Sequence, residues 1–238
     1  MPLSETAESQ KDKQEKMKML SKETNVNNEE IGILVQSTYY SQHKEINKGA
    51  SMKQLFQDWP FVFQEIGMGV HFKQLTGIDL KEMFFASLDK KRAQLLKFLK
   101  TTSTERKKQV MRAAAKLEVS RGQLEGGSKD VKDMVILLLA YFEERQEVMF
   151  HHVEESFLAE DVVDKLPVTP CIIVSALCMM FGSFYCFNIH YLVELASTLE
   201  FLQRCFFNIN PDKKQLPINP KVLTLIADLA DHDWRTSS

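Results

Sequence analysis

The sequence predicts a mainly α, compact multi-helix domain over residues 51–235, preceded by a disordered or peripheral N-terminal tail over residues 1–50. Two observations support the helical class: apolar residues recur at helical spacing in several long segments, and capping residues stand where those segments begin. A third is composition, because a chain of 238 residues with 44% hydrophobic and 26% charged residues is typical of globular proteins. No internal repeat is visible.

The N-terminal tail is polar. Residues 1–30 mix Lys, Glu, Ser, Asn and Gln with few large apolar side chains, so they bury too little surface to offset the entropy of ordering. The apolar patch at residues 31–35 leads back into a polar segment and is expected to stay peripheral. Order is therefore expected to begin near Ser51.

Short helices are predicted over residues 51–77, where apolar residues are dense. Pro60 suits the first turn of a new helix and ends the one before it. We expect breaks at Trp59 and Gly67 and a helix end at Gly77.

Longer helices follow. Asp79 with Glu82 three residues later forms a capping box, which predicts a helix over residues 80–101. A more polar helix is expected over residues 104–117, and Ser128 is expected to cap a third helix with a wide apolar face.

The pattern changes after that helix. Prolines and β-branched residues favour one or two short strands near residues 171–175. A continuous helix ending at about Phe207 is predicted next, because apolar residues step by four and three: Tyr185, Ile189, Leu192, Leu195, Leu199, Leu202 and Phe206. Asn219 as a cap and Pro220 at the first helical position predict a final helix.

Residues 166–193 contain no Asp, Glu, Lys or Arg and hold three of the four cysteines. Because about 20 apolar residues can span a bilayer as a helix, insertion of residues 171–193 into a membrane is one hypothesis. Two prolines, Gly182, Asn188 and His190 interrupt the run, which favours burial in the domain core.

Motifs for catalysis are weak. The cysteines lack zinc spacing and any C-x-x-C pair, so we expect buried free thiols and, with no apolar segment at the N-terminus, an intracellular (cytoplasmic or nuclear) protein. His151 and His152 lie near two glutamates without the His-Glu-x-x-His pattern and are interpreted as a solvated helix end. Gly67 and Gly69 do not complete a phosphate-binding loop. We expect no enzyme activity, metal or cofactor.

The most informative feature for function is the uneven distribution of charge along the sequence. The net charge is only −2, yet residues 79–121 carry 12 Lys and Arg against 5 Asp and Glu, whereas residues 122–166 carry 4 against 11. Neighbouring helices exchanging ion pairs would explain the two blocks, and so would a partner site. The candidate interaction residues are Lys90, Lys91, Arg92, Arg106, Lys107, Lys108 and Arg112.

The basic block at residues 90–112 has two functional interpretations. It could bind an acidic protein, or it could bind nucleic-acid phosphates. The block lacks the interleaved aromatic residues and glycines that single-strand binders use, which favours a protein partner.

Several segments carry a resemblance: WPFVFQEIGMGVHFKQLTGIDL, the pair Leu88 and Asp89, FGSFYCFNIHYLVELASTLEFLQRCFFNINPDKK, and NPKVLTLIADL. They resemble the carboxy-terminal region of uncharacterised vertebrate, mainly fish, proteins, some of which are named sterile alpha motif domain-containing proteins. The resemblance covers residues 51–233, and the sterile alpha motif itself is not evident. It implies no activity or ligand. We therefore expect a non-enzymatic protein–protein interaction or scaffold module whose partner and oligomeric state the sequence does not name.

Overall fold

The computed structural model describes residues 5–101, 106–119, 127–150, 173–210 and 218–231. Within them the chain forms helices and no strand, so the predicted mainly α class is confirmed. The helices are α1 (Ala7–Leu20), α2 (Asn28–Asn47), α3 (Met52–Asp58), α4 (Glu65–Thr76), α5 (Leu80–Thr101), α6 (Arg106–Val119), α7 (Gly127–Phe142), α8 (Gln146–Met149), α9 (Ile173–Cys186), α10 (Ala196–Cys205) and α11 (Pro220–Asp231), with 3₁₀ turns at Pro60–Phe63 and Val193–Leu195.

The chain divides into two compact units. The first unit comprises Met1–Met83 and Leu177–His190, and the second comprises Phe84–Ala176 and Tyr191–Ser238. Two of the three boundaries between the units fall inside helices, so α5 and α9 each contribute residues to both units.

Residues 5–50 form two packed helices, which corrects the expectation of a disordered or peripheral tail. Apolar side chains hold these helices in place, because Met17 on α1 and Ile31 and Val35 on α2 are buried. Polar side chains also link these helices, since the Gln10 Nε2 donates to the Ser37 carbonyl at 2.9 Å. Composition predicted disorder here because it does not record which polar groups find partners.

Ion pairs add further links to α1. The Lys18 Nζ lies 2.8 Å from an Asp58 carboxylate oxygen at the end of α3, and this hydrogen bond raises the pKa of Lys18. The Lys16 Nζ lies 2.6 Å from a Glu30 carboxylate oxygen on α2. The first three helices are thus joined by charged as well as apolar contacts.

The short helices differ from the prediction at one glycine. The break at Trp59 and the helix end at Gly77 are confirmed, and Gly77 has the left-handed φ of 75° that favours glycine. Gly67 lies inside α4 and breaks nothing. A Cβ atom there would meet the Phe61 carbonyl oxygen at 1.9 Å, so Gly67 permits close packing of α4 on the 3₁₀ turn.

The predicted capping residues act as expected at two helices. Asp79 Oδ1 accepts from the Glu82 backbone N–H at 3.1 Å at the start of α5. Asn219 Oδ1 accepts from the Lys221 N–H at 3.0 Å at the start of α11. Ser128 instead lies within the first turn of α7, which begins one residue earlier.

The charge-free stretch differs from the prediction in two places. Residues 173–175 begin α9, so the strand predicted near residues 171–175 is wrong there, and residues 171–172 lie outside the described residues. The β-branched pair Ile173 and Val174 precedes Ala, Leu and Met, and burial of Leu177 and Phe181 on α9 outweighs a local strand preference. Among the helices described, none is long and apolar enough to cross a membrane.

The predicted continuous helix up to Phe207 is also wrong. The first helix of this region, α9, ends at Cys186, Asn188 adopts a left-handed φ of 52°, and a 3₁₀ turn precedes α10. Leu192 in the intervening segment is 48% exposed, whereas Leu199 and Leu202 are buried. The apolar spacing continues across the break by coincidence, because its two ends lie on separate helices.

Candidate interaction groove

The seven candidate interaction residues lie on two helices of the second unit. Of the three on α5, Lys90 is exposed, and Lys91 and Arg92 are half-buried. The Lys91 Nζ donates to the Cys205 carbonyl oxygen at 2.7 Å, at the last residue of α10. A cation at a helix C-terminus stabilises unpaired carbonyls, so Lys91 has a structural role.

The other four lie on α6, where a basic ridge forms. Lys108, Arg112 and Lys116 are spaced by four residues, share one helix face and are exposed. Lys116 was not among the predicted residues. Arg106 and Lys107 belong to the first turn of α6, and their side chains lie outside what the structure describes.

The basic ridge borders a groove of about 500 Å³ formed by α6, α7 and α8, here called the interaction groove. Its apolar lining includes Ala113, Leu117, Ile136, Leu139 and Ala140. Its charged lining consists of the cations Arg112, Lys116 and Lys132 and the carboxylates Asp133, Glu144 and Glu147. An apolar surface with charged edges suits an amphipathic ligand.

The groove also explains part of the charge pattern. The basic helix α6 packs on α7, as the hypothesis of neighbouring basic and acidic segments predicts. Acidic side chains gather where α7 ends and α8 begins, at Glu143, Glu144 and Glu147. The two charge blocks therefore meet along one side of the second unit.

Glu144 has a structural task that sequence reasoning missed. Its two carboxylate oxygens accept from the Ser197 N–H at 2.7 Å and the Thr198 N–H at 3.1 Å. These N–H groups belong to the first turn of α10, which has Leu195 at its cap position and no side-chain cap of its own. A leucine at that position signals an unsatisfied helix start, although not the residue that satisfies it. Glu144 thus caps the N-terminus of α10.

A second groove, of about 600 Å³, lies in the first unit and includes residues of α4, α5 and α9. Its edge charges are already matched, because the Lys81 Nζ lies 2.6 Å from Glu65 Oε1 and the Lys73 Nζ lies 3.3 Å from Asp79 Oδ2. Exposed pairs of this kind add little binding energy for a charged partner. The interaction groove is the stronger candidate.

The cysteines in the described residues are inert thiols. Cys178, Cys186 and Cys205 are free and buried, and burial raises the pKa of each to about 12. Cys171 lies outside the described residues, as do His151 and His152. Across the described ranges, no group of three or more His, Cys, Asp or Glu side chains is placed to hold a metal ion.

Comparison with known protein families gives a match near the N-terminus. Residues 10–64 match the family model for the helical domain of sterile alpha motif domain-containing protein 3. No curated protein and no solved structure matches the chain. The match lies mostly N-terminal to the resemblance at residues 51–233 and covers α1, α2, α3 and the first 3₁₀ turn. The chain is therefore similar to a sterile alpha motif domain-containing protein in its N-terminal helices.

Proposed function

We propose that the chain is a non-enzymatic protein–protein interaction module whose interaction groove binds an acidic amphipathic segment of a partner protein. The observation that carries this proposal is the basic ridge beside an apolar groove surface. Acidic side chains of the partner would pair with Arg112, while its apolar side chains would contact the half-buried Leu117 and Ala140. Helix-in-groove recognition commonly combines these two kinds of contact.

The electrostatic balance of the groove supports a cation-led site. Glu144 is neutralised in part by the two N–H groups at the start of α10, so its charge adds less to the groove than its position suggests. The lining of the groove contains three cations, Arg112, Lys116 and Lys132, against three carboxylates, one of which is Glu144. Complementary charge of this kind raises the association rate and selects against basic partners.

The same balance argues against nucleic acid. Asp133 and Glu147 lie beside the basic ridge and would repel a phosphate backbone. Lys91 is turned to the Cys205 carbonyl, which removes one of the cations on which the nucleic-acid hypothesis depends. Nucleic acid therefore stands as the alternative that the experiment below must exclude.

The similarity at residues 10–64 is to a domain of a protein named for an interaction motif, which supports the same class of function. We also propose that residues 51–233 are related to the carboxy-terminal region of sterile alpha motif domain-containing proteins, as their resemblance suggests. We also propose an intracellular location, because buried free thiols are typical of reducing compartments.

The experiment compares two charge reversals, Arg112→Glu in the groove and Lys90→Glu on α5. Both side chains are exposed, and both belong to the basic block at residues 90–112, for which nucleic-acid binding is the alternative hypothesis. The full chain and both variants are used to purify partners from cell extract with and without nuclease. We expect a nuclease-resistant protein that the wild type and Lys90→Glu recover equally and Arg112→Glu loses.

A direct binding measurement complements the purification. The probe is a synthetic helical peptide with Glu on one face and Leu and Ala on the other, and its control carries Lys in place of Glu. We expect the acidic peptide alone to bind, with affinity about tenfold weaker for Arg112→Glu, equal to about 1.4 kcal/mol. Equal weakening by both variants together with nuclease sensitivity would establish nucleic acid instead. Unchanged binding by Arg112→Glu would exclude the groove.

A further inference from the structure

A chain of hydrogen bonds in the first unit fixes the orientation of one buried amide. The Thr38 hydroxyl donates its only proton to the Leu34 carbonyl at 2.7 Å, so it must accept from the Gln42 Nε2, which lies 2.7 Å away. The Gln42 Nε2 also donates to the Val35 carbonyl at 3.1 Å. Both amide protons are thus used, and Gln42 Oε1 faces the other way as an acceptor.

That acceptor determines the tautomer of His71. This α4 side chain is fully buried, and its Nδ1 lies 2.8 Å from Gln42 Oε1. Because Oε1 can only accept, the His71 Nδ1 carries the proton and the Nε2 carries a lone pair. The Nε2 is buried and has no hydrogen-bond partner among the described residues. A buried acceptor without a hydrogen-bond partner is destabilising.

The neighbouring His43 presents the complementary group. Its Nε2 lies 2.9 Å from the Asn47 Nδ2, a donor, which leaves the proton on Nδ1. That Nδ1 is also buried without a partner among the described residues. The two ring centroids are 6.3 Å apart, and no direct hydrogen bond joins the rings. One imidazole therefore offers a buried donor, and the neighbouring imidazole offers a buried acceptor.

A neutral side chain contacts both rings. Tyr39 stacks on His43 with centroids 5.4 Å apart and meets His71 edge-on at 4.8 Å. The thiol of Cys186 is buried and donates a hydrogen bond to the Met68 carbonyl. No third His, Cys, Asp or Glu joins the pair in a metal-binding group within the described ranges. These neighbours suit a small neutral ligand with one donor and one acceptor to offer.

We propose that a single buried water molecule bridges the pair, accepting from the His43 Nδ1–H and donating to the His71 Nε2. Buried waters are found where otherwise unsatisfied polar groups converge. This water links α2 to α4 and completes the hydrogen-bond chain that runs from Leu34 through Thr38 and Gln42 to His71. It makes one hydration site part of the packing of the N-terminal helices.

The test is ¹⁵N-resolved NMR of the imidazole rings in the full chain at neutral pH. We expect His71 protonated at Nδ1 alone and magnetisation exchange between water and the His43 Nδ1 proton. His43→Phe keeps a ring against Tyr39 but removes the donor, so the long-lived water signal at His71 should disappear. The matched control is His190→Phe, which changes an exposed histidine of the same unit and should leave that signal intact.

Any of three results would overturn the inference. One is a wild-type His71 protonated at Nε2, a measurement that does not depend on whether any variant folds. Another is a shift of both rings on addition of one equivalent of Zn²⁺, which would make the pair a metal site. Survival of the water signal in His43→Phe would likewise show that the water does not bridge the two rings.

Discussion

Acidification should weaken the first unit through His71. Burial, with the charge of His43 as a smaller cause, lowers the pKa of His71 from 6.5 to about 4. The unfolded chain therefore binds a proton more readily than the folded chain below pH 6.5. Stability from this group is fully present above pH 6.5 and is lost as the pH falls towards 4. A difference of about 2.5 pKa units corresponds to about 3 kcal/mol.

Other groups near His71 do not obscure this window. Burial raises the pKa of Cys186 to about 12, and burial followed by Cys186 raises the pKa of Tyr39, so both stay neutral throughout.

The assay is urea denaturation between pH 7 and 4, followed by Trp59 fluorescence in a Trp234→Phe background. Trp59 is buried in the first unit and reports on that unit. His71→Gln cannot titrate, so comparison with it cancels the effect of carboxylates elsewhere. We expect the free energy of unfolding of the parent to fall by about 3 kcal/mol more than that of the variant. Parallel pH curves for the two proteins would refute the reasoning.

Three further predictions concern stability. Gly67→Ala should lower the free energy of unfolding of the first unit in urea by about 1–3 kcal/mol, because its Cβ would overlap a backbone carbonyl. Gly69→Ala has open space around it and should raise that free energy by about 0.5–1 kcal/mol. Equal effects of the two substitutions would contradict the close contact at Gly67. Glu144→Gln should cost about 1–2 kcal/mol because it weakens the charge-assisted bonds to α10, and hydrogen exchange should show faster opening of that helix start; unchanged exchange would exclude the cap. Leu199→Ala should cost about 2–5 kcal/mol and Leu192→Ala under 1 kcal/mol, and a large loss for the exposed residue would show that it is packed after all.

Features set by neighbours in sequence were predictable. Asp79 and Asn219 cap their helices, Pro60 opens a 3₁₀ turn, and Gly77 ends α4, because each effect acts within a few residues. The helix at residues 80–101 has the predicted bounds for the same reason. Arg112, one of the candidate interaction residues, lines the groove that we propose as the binding site.

Features set by distant partners were not predictable. Lys91 had the same local setting as Lys90, yet it bonds a carbonyl 114 residues away. Nothing near Glu144 indicates that it caps a helix more than 50 residues later in the chain. The N-terminal helices were missed because a small number of apolar residues suffices when most of them are buried together.

The first unit draws on two parts of the chain that lie far apart. The Cys186 thiol donates a hydrogen bond to the Met68 carbonyl, 118 residues earlier in the chain. Phe187 stacks on Phe63 with ring centroids 4.6 Å apart. Contacts of such high sequence separation form slowly, because a long loop must close before they contribute. During synthesis, α1 to α4 emerge well before α9, so the core of this unit stays incomplete until residues 177–190 have been made. Ribosome-associated chaperones would therefore encounter the phenylalanines of the first unit before α9 can cover them. A premature stop before residue 177 would leave these side chains exposed permanently.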